Sequence, residues 1–487
     1  MKVVNKMEQS SKQFMQKLFG FSIGPIVSAG LSFITVPITT YLVSPSDFGK
    51  SAMYTMSYSI STLFIFLGLD QAFVREYNEQ KNKINLFWNS LIFPFLFSFL
   101  LPCIYIIFYK PISLLMFGSI EKYIIIILSL SLPFAVIDRF NLLVIRMEEK
   151  AKTYSFFNIL NKLLGIFILI PYLLFIDRSF KGIINATFIN LIVVCIIESY
   201  FVKHIWKNAF SIDKTLLRKL FKFGIPLIPA TLIGWLLSSM DRIALRQWSS
   251  FNEIGIYSAA FKIVAVLAII QQAFGNFWVP TAFKWYKEKM PNDKYMQVSN
   301  TLLTVMVILF SFIVLFKDAI IILLSSNYRD AAKSVPFLLF FPIMYTISET
   351  TTLGISFSRK TYFNIIISAV AAIFNYLGNI ALVPKMGAMG ASISTGISYI
   401  IFFWMRTLIS RRLWFKFETK LYIYNTVLML LLSVFSVTIN SFYINLLIVL
   451  IILYVNRVYT NKIIHIIKLW FIGKFNKNII KNSEENS

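Results

Sequence analysis

Long apolar runs recur along nearly the whole chain and are separated by short polar stretches. Each run holds about 20 residues, which is enough for an α-helix to cross the roughly 30 Å hydrocarbon core of a bilayer. The pattern predicts fourteen spans, near residues 17–43, 51–73, 86–109, 123–146, 154–176, 183–204, 220–246, 253–280, 296–316, 334–356, 362–383, 387–408, 421–439 and 442–459. The sequence therefore predicts an all-α integral membrane protein with almost no chain left for a soluble domain.

The composition agrees with this interpretation. The chain is 57% hydrophobic and 14% charged, with a mean hydropathy of +0.71. Soluble domains are nearer half apolar and a quarter charged. The first residues, MKVVNKMEQSSKQFMQK, are polar and do not resemble a cleaved signal peptide, so residues 1–16 are expected to form a cytoplasmic N-terminus.

A net charge of +25 could indicate a nucleic-acid binder, but the distribution of the charges favours a membrane topology. With the N-terminus in the cytoplasm, 33 of the 47 lysines and arginines fall in cytoplasmic tails and loops, 10 on the opposite side and four in the spans. Cytoplasmic loops carry such an excess of positive charge. The bias predicts that both termini are cytoplasmic, with no nucleic-acid partner, and that the basic tail 461–487 lies against anionic headgroups.

Three pairs of short stretches recur at nearly one offset, between 205 and 208 residues. The pairs align Gly49 with Gly255, Thr153 with Thr361 and Gly182 with Gly387. Segments 1–6 (residues 17–207) and 7–12 (208–410) therefore look like two copies of one six-helix unit, and residues 411–460 add two further spans. Because six is even, both copies enter from the same side, which predicts a parallel repeat around a central cavity.

Common nucleotide-binding, metal-binding and catalytic motifs are missing from the sequence. There is no GxxxxGK[ST], HExxH, CxxC or GxSxG, and the two histidines, His204 and His465, fall at or beyond helix ends. We therefore expect no enzymatic activity, no metal site and no cofactor.

Polar residues form stripes at helical spacing in several spans. Segment 1 shows Gly24, Ser28, Ser32, Thr35 and Thr39, and segment 8 shows Ser258, Lys262, Gln272 and Asn276. Small residues also mark close helix packing, so segment 1 fits either packing or a cavity wall. A lysine and a glutamine on one stripe favour a cavity wall for segment 8, which makes Lys262, Gln272 and Asn276 candidate substrate contacts.

Several charges fall inside predicted spans, where each costs at least about 2.5 to 3.5 kcal/mol unless it is paired or hydrated. Asp138 and Lys162 lie at similar depth on consecutive segments, so they fit a structural ion pair or a substrate contact. Asp241 and Arg242 close segment 7, where snorkelling or a gate both fit. The remaining deep charges that we single out are Arg139, a candidate substrate contact, and Glu349, a candidate for gating or coupling.

The run DRIALRQWSSFNEIGIYSAAFKI resembles the Asp-[Arg/Lys]…Gly-x-Tyr-x-x-Ala-x-Lys pattern of polysaccharide-biosynthesis flippases. SPSDFG after segment 1 and MGAMGASISTGIS opening segment 12 are similar to that family too, which belongs to the multidrug/oligosaccharidyl-lipid/polysaccharide exporter superfamily. The resemblance covers about residues 15–410. It implies a V-shaped bundle of two six-helix lobes.

The resemblance also implies a substrate: an undecaprenyl-diphosphate-linked O-antigen (lipopolysaccharide) or capsule repeat unit, moved from the inner to the outer leaflet of the bacterial plasma membrane. A polysaccharide polymerase and a chain-length regulator would be partners of such a protein. The anionic headgroup and the glycan of this substrate need a hydrated cavity with cations. Lys262 and Arg139 are the candidate cations.

Two other transporter classes of the superfamily are alternatives to the repeat-unit flippase. A cation-coupled multidrug antiporter is expected to carry a buried carboxylate in segment 1, FGFSIGPIVSAGLSFITVPITTYLV, which has none. A peptidoglycan lipid II flippase is expected to carry several cations in segments 1 and 2, but segment 1 has none beyond Lys17 at its end. A scaffold without transport activity would leave the polar stripes unexplained.

Overall fold

A computed structural model describes residues 23–24, 26–206 and 211–465 of the chain, and these residues form helices and turns without any strand. The predicted N-terminus 1–16, the start of segment 1 and most of the basic tail lie outside the described residues. The all-α membrane fold predicted from the apolar runs is confirmed.

The helices divide between two compact units. The first comprises the described residues of Met1–Ile269, with Ile322–Ala331 and Asn375–Ser394, and the second comprises Ile270–Ile321, Ala332–Phe374 and the described part of Thr395–Ser487. Helices that lie in the first unit are α1 (Ile26–Leu42), α2 (Pro45–Phe66), α3 (Leu69–Glu76), α4 (Lys83–Ile107), α5 (Tyr109–Phe117), α6 (Lys122–Met147), α7 (Ala151–Phe175), α8 (Phe180–Phe201), α9 (Lys203–Trp206), α10 (Lys214–Gly224), α11 (Ile228–Trp248) and α12 (Phe251–Val264), with a 3₁₀ turn at Ile225–Leu227.

The remaining helices follow in chain order, and α13 and α19 contribute residues to both units. They are α13 (Leu267–Lys287), α14 (Asn292–Leu315), α15 (Lys317–Ile322), α16 (Ala331–Leu338), α17 (Phe340–Thr351), α18 (Leu353–Phe357), α19 (Tyr362–Leu413), α20 (Lys420–Thr438), α21 (Phe442–Val455) and α22 (Arg457–His465), with a 3₁₀ turn at Ser326–Tyr328.

Nine described helices are long and apolar enough to span a membrane, or up to twelve if each of three bent helix pairs is one span. The bent pairs are α2 with α3 (54°), α12 with α13 (42°) and α21 with α22 (75°). The other predicted spans fall on α1, which is shorter, and on α19, which holds segments 11 and 12 together. The chain is a multi-pass membrane protein, and the number fourteen stays a prediction.

Local sequence explains where several helices begin and bend. Ser44 caps α2 by accepting the N–H of Asp47, and Ser250 caps α12 by accepting the N–H of Glu253. Within α19 the backbone of Gly387 has φ 52° and ψ −129°, a conformation open to glycine, and the helix is kinked there. This kink coincides with the gap between predicted segments 11 and 12.

The two helices that carry the repeated SPSDFG and SFNEIG stretches pack against each other in the first unit. A side chain on Gly49 of α2 would meet the carbonyl oxygen of Phe251, and one on Gly255 of α12 would meet that of Pro45. Glycine is thus required at both positions by the close approach of the two backbones. Because α2 and α12 pack so closely, residues one to three turns further along both helices can share a wall.

Candidate functional site

A cavity of about 700 Å³ lies within the first unit, lined by residues of helices α1, α2, α7, α8, α11 and α12. Its polar lining consists of hydroxyl and amide side chains and three cations: Ser32, Thr35, Thr39, Ser51, Thr55, Ser59, Asn161, Lys162, Thr187, Asn190, Ser238, Ser239, Arg242, Ser258 and Lys262. No acidic residue is among the described residues that line it. The cavity is therefore positively charged.

Lys262 lies on the cavity wall, as the polar stripe predicted. Its Nζ atom stands 4.4 Å from the centroid of the Phe48 ring, in cation–π geometry. Within the described part of the chain Lys262 makes no ion pair with a carboxylate. Its ammonium group is thus held by an aromatic face while it stays open to the cavity.

Arg242 and Lys162 lie on the same cavity wall. The Arg242 guanidinium donates to the backbone oxygen of Ser238 at 3.2 Å and lies 5.4 Å from the centroid of the Phe261 ring. Neither Arg242 nor Lys162 forms an ion pair among residues 23–206 and 211–465. Three cations without acidic partners thus meet in one cavity, and such an arrangement attracts an anion of about two charges.

The neighbouring Asp241 does not line this cavity. Its carboxylate is 3% exposed and accepts hydrogen bonds from the Tyr257 hydroxyl at 2.5 Å and from the amides of Asn375 (3.1 Å) and Asn379 (2.8 Å). Asp241 therefore ties α11 to α12 and to the first half of α19, whereas Arg242 faces the cavity. Tyr257 is the tyrosine of the Gly-x-Tyr-x-x-Ala-x-Lys pattern. Asn375 and Asn379 were missed in the sequence because neutral polar residues carry no charge signal.

The predicted ion pair between Asp138 and Lys162 is not formed in the structure. The Asp138 carboxyl group instead lies beside that of Glu198, which α8 brings against α6 and which is 2% exposed. Asp138 and Lys162 lie at similar depth in their segments, but depth along a helix does not fix the face on which a side chain lies. Lys162 lies on the cavity wall instead, which fits the alternative of a substrate contact.

Arg139, a predicted substrate contact, has a carboxylate partner. Its Nη2 and Nε atoms donate to Oδ2 of Asp70 at 2.7 and 3.1 Å, which joins α6 to α3. Arg139 is not among the described residues that line the cavity. Asp70 is 7% exposed and is held by this pair.

The segment 1 stripe serves both of the roles that its spacing allowed. Ser32, Thr35 and Thr39 line the cavity. Nearer the start of the described helix, the Ser28 hydroxyl donates to the backbone oxygen of Asn158, and the Gly24 N–H donates to Ser155. The first part of the stripe therefore packs on α7.

Gln272 and Asn276 lie in the second unit, on the far side of the break between α12 and α13. They line a smaller cavity of about 460 Å³ together with Glu349 and Tyr345 of α17. Glu349 accepts from Arg406 at 2.9 Å, and Arg406 also donates to Ser348 at 2.7 Å. The predicted stripe is thus divided between two cavities, one cationic and one with a paired carboxylate.

No group of three or more histidine, cysteine or acidic side chains able to hold a metal ion is found in the described part of the chain. The geometry thus offers two cavities, one in each unit, whose walls carry polar and charged side chains.

A family model described as polysaccharide biosynthesis protein matches residues 14–286, more than half of the chain and all of the residues that line the larger cavity. The chain belongs to this family of polysaccharide biosynthesis proteins.

Three relatives are similar in sequence to parts of this chain. An uncharacterized membrane protein of Methanocaldococcus jannaschii is 22% identical over 71% of this chain and 73% of its own length. A succinoglycan biosynthesis transport protein of Rhizobium meliloti is 20% identical over 62% of this chain and 60% of its own length. A probable low-salt glycan biosynthesis flippase of Haloferax volcanii is 19% identical over 38% and 40%.

The fold is shared with solved transporters. A lipid II flippase, MurJ, in an inward closed conformation superposes with a TM-score of 0.66 at 16% identity, covering 92% of this chain and 99% of that one. An inward-facing multidrug resistance transporter of the MATE family superposes with a TM-score of 0.56 at 15% identity, covering 82% and 94%. The membership predicted from the short motifs is confirmed.

Proposed function

We propose that this protein carries an undecaprenyl-diphosphate-linked oligosaccharide, an O-antigen or capsule repeat unit, from the inner to the outer leaflet of the bacterial plasma membrane. The observation that supports this most is the meeting of Lys162, Arg242 and Lys262 in one cavity without an acidic lining residue. A diphosphate carries about two negative charges, and cations in a low-dielectric surrounding bind it far more strongly than they would in water.

The hydroxyl and amide groups of the same cavity supply the neutral part of the environment. Serines, threonines and asparagines offer both donors and acceptors, which replace water around the phosphate esters and the first sugar. The lipid tail is uncharged and stays in the bilayer. Alternating access of the cavity to the two sides would then carry the headgroup across, with both termini in the cytoplasm.

Lys262 is the residue on which we test this function. Losing one charge-assisted hydrogen bond to a phosphate removes about 1.5 to 3 kcal/mol, or roughly 10- to 150-fold in affinity. Lys262→Ala should therefore abolish or severely reduce surface glycan export at normal protein level, and Lys262→Arg should retain part of it. Lys284→Ala is the matched control, since Lys284 is an exposed lysine of α13 that lines neither cavity.

The measurement is surface glycan per unit of membrane-inserted protein, with binding of undecaprenyl diphosphate to the purified protein as a second readout. Wild-type export and wild-type binding by Lys262→Ala would reject the proposal. A difference from the Lys284→Ala control in export alone would point away from headgroup binding and toward a defect in conformational change.

A lipid II flippase is the second candidate function, favoured by the cationic cavity and by the likeness to MurJ in fold. Both substrates carry a diphosphate, so Lys262 does not distinguish them. Complementation does: the protein should restore surface glycan in cells that lack their own repeat-unit flippase. Restoring growth of cells depleted of their lipid II flippase would favour the second candidate instead.

A further inference from the structure

The smaller cavity in the second unit differs chemically from the cationic one. Gln271, Gln272 and Asn276 of α13 supply three amides to its wall. Tyr345 and Glu349 of α17 supply an aromatic ring and a carboxylate. Its volume of about 460 Å³ falls within the range of small-molecule sites, roughly 300 to 1,000 Å³.

The charge of this cavity is balanced. No lysine or arginine is among the described residues that line it, and its one carboxylate, Glu349, is paired with Arg406 at 2.9 Å. The cavity therefore offers many hydrogen-bond donors and acceptors without a net charge. Such a lining suits a neutral, polyhydroxylated ligand better than a phosphate or a drug cation.

One polar atom of this wall has no partner in the protein. The Oε1 atom of Gln271 is buried and accepts no hydrogen bond from the described residues. A buried acceptor without a donor is unfavourable by about 1 to 3 kcal/mol.

The aromatic residue of the wall is held in a fixed orientation. The Tyr345 ring stacks on Phe402 with centroids 5.6 Å apart and planes inclined by 15°, and the Arg406 guanidinium lies 5.4 Å from its centroid. The part of the ring that lines the cavity is therefore an apolar surface held in place at little entropic cost. The C–H face of a pyranose is the complementary surface.

The backbone beside the amides is open. Gly275 lies between Gln272 and Asn276, and an added Cβ atom there would meet nothing within 4 Å. A bulky residue at this position would therefore reduce the space in the cavity without displacing neighbouring backbone or side chains.

We propose that this cavity is a carbohydrate subsite, which binds an uncharged sugar of the lipid-linked oligosaccharide through amide hydrogen bonds and contact with the Tyr345 ring. The inference rests on the proposed function, because the sugar arrives attached to the lipid diphosphate. The two cavities then have separate ligands: the cationic cavity binds the diphosphate, and the carbohydrate subsite binds a sugar.

The experiment compares two probes on the purified full-length protein. One is bare undecaprenyl diphosphate, and the other is the lipid-linked oligosaccharide extracted from source cells in which this gene is deleted. Gly275→Leu and Asn276→Ala should each weaken binding of the oligosaccharide lipid about tenfold and leave binding of the bare lipid unchanged. Lys262→Ala should weaken binding of both.

Gly30→Leu is the matched control for the steric variant, since Gly30 of α1 also has open space around it and lines neither cavity. Wild-type affinity of Gly275→Leu and Asn276→Ala for both lipids would overturn the subsite while the proposed function stands. A wild-type protein that binds neither lipid would overturn the proposed function itself, and the subsite with it.

Discussion

Asp47 and Glu253, 206 residues apart, each accept a backbone N–H at the start of a later helical stretch. Oδ1 of Asp47 accepts from Phe180 at the start of α8 (3.3 Å), and Oε2 of Glu253 accepts from Ala388 directly after the kink of α19 (2.7 Å). Each acid also lies three residues after the serine that caps its own helix. This correspondence supports the repeat predicted from the Gly49–Gly255 offset.

The first prediction concerns these two acids. Asp47→Ala and Glu253→Ala should each lower the stability of the purified protein by about 1 to 2 kcal/mol, because a helix N-terminus loses a charged acceptor. Asp47→Asn and Glu253→Gln should cost less, since an amide oxygen still accepts. Thermal unfolding in detergent measures this, with Glu288→Ala as the control. An alanine variant as stable as that control would contradict the capping role.

The second prediction separates the observed Asp138–Glu198 contact from an Asp138–Lys162 ion pair. A hydrogen bond between two carboxyl groups requires a proton on one of them, so an amide can replace that one. Asp138→Asn should therefore keep stability within about 1 kcal/mol of the wild type, whereas Asp138→Leu should lose roughly 1 to 3 kcal/mol.

The ion-pair model makes the opposite forecast for the same variants. Asp138→Asn would leave Lys162 as a lone buried charge and cost about 3 to 5 kcal/mol, and adding Lys162→Met would recover most of the loss. Folded protein recovered from membranes and its unfolding temperature distinguish the two models. A large loss in Asp138→Asn that Lys162→Met repairs would refute the carboxyl pair.

The third prediction assigns Arg139 a structural role. Because its guanidinium is bound to Asp70, Arg139→Ala should lower stability and leave the affinity of the folded protein for undecaprenyl diphosphate unchanged. The double variant with Asp70→Ala should be more stable than Arg139→Ala alone, since no carboxylate is left buried without its partner. Weaker lipid binding by a normally stable Arg139→Ala protein would return Arg139 to the list of substrate contacts.

Much of the fold could be predicted from the sequence because each membrane helix corresponds to one local apolar run of sufficient length. Even the kink of α19 follows from a single glycine, Gly387, between two such runs. The position of Lys262 on a cavity wall could be predicted from one helix alone, since Ser258 and Lys262 both lie on α12 and both line the larger cavity.

What could not be predicted are the partners that other helices supply. Glu198 lies 60 residues after Asp138, and Asn379 lies 138 residues after Asp241. A helical pattern gives depth and face within one helix but does not say which neighbour that face meets. The same holds for Arg406, which lies near the end of predicted span 387–408 and whose partner Glu349 comes from another helix.

The fourth prediction tests the topology, which the charge distribution along the chain motivates. Reporter fusions at Lys214, before α11, and at Lys385, before the kink of α19, should give cytoplasmic and external signals respectively. The positive-inside bias of 33 to 10 predicts this result. The same signal from both fusion sites would contradict the arrangement of spans between them.

The fifth prediction concerns Glu349 and Arg406 in the second unit. The sequence analysis names Glu349 as a candidate for gating or coupling. The side chains of Glu349 and Arg406 are 15% and 11% exposed. Removing either leaves the other charge buried without its partner, so Glu349→Ala and Arg406→Ala should each lower stability by about 3 to 5 kcal/mol.

Glu349→Gln separates a structural role from a gating role, because its amide oxygen still accepts from Arg406 while its charge is gone. A structural role predicts near-normal folded protein and near-normal glycan export for Glu349→Gln. A gating or coupling role predicts normal folded protein with export reduced at least tenfold, since the charge itself is needed for the conformational change. Export per unit of folded protein, compared with the Glu288→Gln control on the exposed surface of the same unit, decides between the two roles.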